Sequence, residues 1–188
     1  MTKVAANEVM SQVDVERSMP QWRLPDAAST VEIVLTQALE FCAQKMRLAG
    51  HQAVVDHLRQ GDSSACKYCH YSIAKQVAES LGALDENVKA VYVVDYDATP
   101  EDICFSEETK TSLIHLIVWA ERKTSALDSL VEALDRALVE RYTDVIGTRQ
   151  LAHLLDVQVV DDADVKNRAG YGAMLSSLYQ RPIQVWKR

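Results

Sequence analysis

Residues 112–160 read SLIHLIVWAERKTSALDSLVEALDRALVERYTDVIGTRQLAHLLDVQVV, and the changes of period along this stretch set the fold class. Residues 112–120 are rich in branched and aromatic side chains, the composition of a strand. Apolar residues then recur at three and four positions: Leu127, Leu130, Val131, Leu134, Leu138 and Tyr142 share one helical face. Thr124 or Ser125 caps this helix, with Asp128 three residues after Ser125, and Gly147 closes it. LLDVQVV, residues 154–160, returns to strand composition.

Upstream, VKAVYVVDYD (88–97) reads as a strand and forms an antiparallel hairpin with 112–120. The acidic link between them holds Thr99-Pro100 and a short strand at Ile103 to Phe105. Downstream, AMLSSLY (173–179) reads as a helix and IQVW (183–186) as a last short strand. The strand at 154–160, that helix as a crossover and the strand at 183–186 make a βαβ unit, expected to be right-handed with parallel strands. The expected class is α+β: an N-terminal helical section followed by a mixed β-sheet with helices packed on one face, a ferredoxin-like variant being one such arrangement.

The N-terminal half divides at its prolines and glycines. Residues 1–29, with Trp22 between Pro20 and Pro25, read as an extended or flexible arm; 30–85 form a helical section and 86–188 the sheet domain, with 30–188 able to fold as one compact domain. From Thr30, Val31, Val34, Leu35, Ala38, Phe41 and Cys42 define a helical face, with Ser29 or Thr30 as its cap. Val54, Val55 and Leu58 continue it beyond Gly50, either as one long helix or as two meeting there, and Gly61 ends it. A third helix starts near Ala65 after a Ser63 or Ser64 cap, carries Ile73, Val77 and Leu81, and stops at Gly82.

The chain has 188 residues, 48% of them hydrophobic and 25% charged, the balance of a globular protein that buries its own core. A net charge of −7 opposes broad binding to phosphate backbones, so nucleic acid is not an expected partner. No run approaches 18 apolar residues, and the first twenty lack the apolar middle of a secretory signal. The expected location is therefore cytoplasmic, with no membrane contact.

The strongest chemical pattern is CKYCH, Cys66 to His70. CxxCH serves covalent haem attachment, a metal site or a dithiol pair. Haem attachment belongs outside the reducing cytosol, and thioredoxin-like exchange needs a strand before the motif where this sequence has a helix. As a metal site, Cys66 and Cys69 would supply two thiolates, with His70 and His57 as further ligands, and zinc is the ion such a set suits. A thiol near a helix N-terminus has its thiolate favoured by the dipole. The competing reading is that Cys42 and Cys69 fill the core.

Two weaker patterns complete the inventory. Asp95 and Asp97 at one strand end and Asp161, Asp162 and Asp164 at another could hold Mg²⁺ for phosphoryl transfer, or serve as solvated loop and N-cap residues. NRAGYGAML (167–175) places two glycines where a close helix or subunit contact is expected, and His115 reads as a hydrogen-bonded sheet residue. The expected function is a non-catalytic interaction or ligand-sensing module that self-associates as a homo-oligomer, its small-molecule ligand unspecified. A zinc or thiol-redox protein built on Cys66 and Cys69 is one alternative, and a metal-dependent phosphoryl-transfer enzyme the other.

Overall fold

The computed structural model describes residues 24–94, 114–147, 151–177 and 181–188. Helix α1 (Leu24–Met46) begins ahead of the expected cap at Ser29 or Thr30. Pro25 in its first turn is no obstacle, because an N–H there has no intrahelical acceptor to lose. Ala27, Val31, Val34, Leu35, Ala38, Leu39 and Cys42 form its buried stripe. Arg47 and Gly50, both at positive φ, break the chain before α2 (His51–Arg59). Two helices therefore stand where one long helix was the alternative.

Helix α3 (Ser63–Leu84) is capped by Asp62, whose carboxylate accepts from the Ser64 and Ala65 amides at 2.9 and 3.0 Å. The cap is thus one residue earlier than the serines suggested, and a carboxylate also suits the positive end of the helix dipole. Gly82 does not end this helix, which runs on to Leu84.

Strands β1 (Val88–Val94) and β2 (Ile114–Ala120) form the expected antiparallel hairpin. Helix α4 (Ser125–Ile146) follows, capped by the Thr124 hydroxyl on the Leu127 amide and ended by Gly147 in the left-handed conformation. Arg59 of α2 donates to the Ile146 and Val145 carbonyls, satisfying acceptors that the helix end leaves open. β3 (Leu155–Val160) then pairs parallel with β2, so a βαβ unit runs from β2 through α4 to β3, ahead of the one expected between 154–160 and 183–186. β4 (Ile183–Lys187) pairs antiparallel with β1, giving the order β3-β2-β1-β4. The crossover joins immediate neighbours, unlike the split unit of a ferredoxin-like sheet, whose crossover skips a strand. β3 and β4 occupy opposite edges, with a 3-10 turn at Gly170–Ser176 where the crossover helix was expected, so the parallel pair expected between 154–160 and 183–186 does not form.

One apolar core joins α1, α2, α3 and α4 to the inner sheet face, from Ala27 to Leu155. The apolar stripe of α1 is filled by α3 and α4 of its own chain. The other sheet face carries a smaller cover: α5 (Asp162–Asn167) and a 3-10 turn (Gly170–Ser176), in place of the helix expected over 173–179. Asp161 and Asp164 cap α5 reciprocally. A Cβ built on Gly172 would lie 2.6 Å from the Asp164 carbonyl oxygen, so the close approach of turn to helix needs glycine there. No described helix is long and apolar enough to cross a membrane.

Candidate functional site

The CKYCH segment turns inward. Cys66, the fourth residue of α3, is buried and disulfide-bonded; Cys42 and Cys69 are buried free thiols, and Cys104 lies outside the described residues. Burial pushes the Cys42 thiol up to about 11, with the Asp62 carboxylate adding to the rise, and pushes the Cys69 thiol further still. The helix dipole's pull toward thiolate is outweighed, because desolvating a charge in the core costs more than the dipole returns. Cys69 and Cys42 therefore behave as protonated core residues.

His70 is buried at 7% exposure, with Nε2 3.2 Å from the Tyr142 hydroxyl and no partner for Nδ1. Burial alone takes its imidazole down to about 4. His57 is turned to the α3 cap instead, its Nδ1 2.9 Å from Asp62 Oδ2. Of the four expected metal ligands, Cys69 and His70 thus enter the core, Cys66 is held in a disulfide and His57 serves Asp62. Among the described residues no group of three or more His, Cys, Asp and Glu is arranged to hold a metal ion.

The carboxylate reading divides similarly. Asp95 and Asp97 lie outside the described residues. Asp161 accepts from the Asp164 amide at 2.9 Å as the α5 cap, while Asp162 pairs with Lys89 and the Trp119 indole N–H, and Asp164 with Lys123. These pairings hold the Asp162 and Asp164 carboxyls below the usual carboxylate range. They join α5 to the sheet.

A better-formed site lies on the sheet face away from the core. The parallel register sets His115 of β2 directly beside Asp156 of β3, and alternation along both strands turns the two side chains to that face. His115 Nδ1 lies 3.0 Å from Asp156 Oδ2, and Gln158 Nε2 donates to Asp156 Oδ1 at 2.9 Å. A carboxylate only accepts, so Nδ1 carries the proton and the imidazole is held in one tautomer. Ile117 floors the site, and Tyr171 and Met174 of the 3-10 turn wall it, leaving a cavity of about 240 Å³. His115 and Asp156 keep 41% and 38% of their side-chain surface, so solvent and solute reach them.

Asp135 of α4 sets the position of this site from the core side. Its buried carboxylate accepts from the Leu154 and Leu155 amides at 2.9 and 2.8 Å, and His153 Nδ1 approaches its other oxygen at 2.7 Å. Asp135 thus anchors the start of β3 beside Asp156, together with the Leu154 carbonyl bonded to Ile114 N. The sequence reading named His115 only as a sheet residue and missed Asp135, Asp156 and Gln158. For Asp156 and Gln158 the available signal was polar alternation within LLDVQVV, which marks one wet face of a strand.

Comparison with protein-family models, with curated proteins and with solved structures found no match.

Proposed function

We propose that this protein is a non-catalytic ligand-sensing module that binds a small molecule in the pocket between β2, β3 and the 3-10 turn. The Asp156–His115 pair carries the reading. Two adjacent strands hold a hydrogen-bonded polar pair against an apolar floor, with an aromatic wall 44% exposed to solvent. Pockets that bind small ligands combine apolar walls with a few fixed polar groups in this way. At about 240 Å³ the cavity lies below the ~300 Å³ lower end for drug-sized ligands and suits a fragment-sized one. Thiol exchange has weaker support, since the Cys69 thiol is buried and held protonated.

A fragment screen by thermal shift, run on the wild-type chain and on His115→Ala, tests the proposal. Hits should raise the melting temperature of the wild type, because a ligand that binds only the folded state stabilises it by mass action, about 2.7 kcal/mol at a hundredfold excess over Kd. The same fragments should lose their effect in the variant. An identical set of hits on both proteins would place binding elsewhere and remove the proposal.

A further inference from the structure

We infer that the pocket selects a small organic cation rich in N–H donors, of the amidine or guanidine type; this rests on the pocket being a binding site. His115 directs its Nδ1 proton to Asp156, so in the ring's neutral form Nε2 is the acceptor. Gln158 donates through Nε2 to the same carboxylate, which leaves its Oε1 as an acceptor. Asp156 has only acceptors. Three neighbouring side chains therefore present acceptor atoms, with one formal negative charge among them.

The walls favour the same class. Tyr171 provides an exposed aromatic ring, whose face attracts a cation, and Met174 a polarizable thioether. A planar amidinium can direct its N–H groups to the carboxylate side while its body lies against these two residues and Ile117. A carboxylate ligand in the same place would meet Asp156 at close range, with no Lys or Arg among the described residues that line the pocket. The net charge of −7 adds a long-range preference of the same sign.

Three near-isosteric probes separate charge from shape: benzamidine, benzamide and benzoate. Titration by NMR should show benzamidine binding at least about tenfold more tightly than either of the others. The side-chain resonances of His115 and Gln158 should move with it in the wild-type protein. Asp156→Asn, which keeps the size but removes the charge, should erase the preference. If benzamide or benzoate binds as tightly as benzamidine, the assigned ligand class is wrong while the pocket stands as a binding site. If benzamidine binds without moving His115 and Gln158, or equally well to Asp156→Asn, the inference is overturned. If none of the three binds and the fragment screen also gives no hits, the binding-module reading falls with it.

Discussion

The indole of Trp186 on β4 occupies the space that a side chain at Gly82 of α3 would need: a Cβ built on Gly82 falls inside van der Waals contact with the ring. The glycine that resembles a helix stop is thus an interior residue where helix and sheet meet. Arg188 strengthens the same junction by donating to the carbonyls of Gly82, Asp85 and Val88. The edge strand β4 is held to the helical layer by Trp186 within it and by Arg188 just beyond its end.

Gly82→Ala should destabilise the fold. Ala is better than Gly in a helix interior by about 1 kcal/mol, but overpacking against a ring typically costs about 1–3 kcal/mol, and the clash is expected to prevail. Urea unfolding of Gly82→Ala, Trp186→Ala and the double variant checks this. The double variant should be more stable than the sum of the single losses predicts, because the alanine methyl then fills space the indole has left. Strict additivity would mean that the two residues do not compete for one volume.

His70 should make stability fall with acid. Its folded value of about 4 lies below the unfolded value near 6.5, so between these pH values the unfolded chain binds more protons. Stability is then fully present above about pH 6.5 and declines toward pH 4, by up to about 3 kcal/mol. The groups around the ring, Tyr142, Cys69 and Cys42, are all held neutral by burial and supply no counter-charge. His70→Leu should flatten that part of the stability profile, whatever its effect at neutral pH. Asp62 and Asp162, whose carboxyls are lowered, act in a separate window below about pH 4. An unchanged slope in His70→Leu would assign the acid sensitivity to another group.

Asp135→Ala leaves two buried backbone amides without acceptors and should cost about 2–4 kcal/mol, since each orphaned donor is worth about 1–3 kcal/mol. Asp135→Asn keeps an acceptor oxygen for both amides and should cost clearly less. Hydrogen exchange at Leu154 and Leu155 provides a local readout: protection there should fall more in the alanine variant than in the core of α3. Uniform loss of protection across the molecule would argue against a local role at the start of β3.

The three described cysteines should differ in alkylation. In the native protein, buried Cys42 and Cys69 should react slowly with iodoacetamide, because access is closed and burial keeps both thiols protonated. In denaturant without reductant, mass spectrometry should find both labelled and Cys66 unlabelled, and Cys66 should become labelled after dithiothreitol. Labelling of Cys66 before reduction would show that its disulfide is absent in the purified protein.

By itself the sequence determined the α+β class, the hairpin of β1 and β2, the helix at α4 and the apolar stripes on either side of Gly50 and Gly61. These follow from period and local punctuation: a stripe such as Leu127 to Tyr142 buries on any partner, and Gly147 ends its helix wherever the helix packs. Even the core reading of Cys42 and Cys69 was available from their spacing. Tertiary structure decided which distant partners the polar residues take. The approach of α2 to α3 turned His57 to Asp62, the burial of α3 outweighed the dipole at its thiols, and Trp186, about a hundred residues away in sequence, made Gly82 a packing residue. The pocket belongs to this second group. His115 and Asp156 are 41 positions apart, and only the parallel register of β2 and β3 makes them neighbours, because register depends on pairing between strands and leaves no periodic mark within either one.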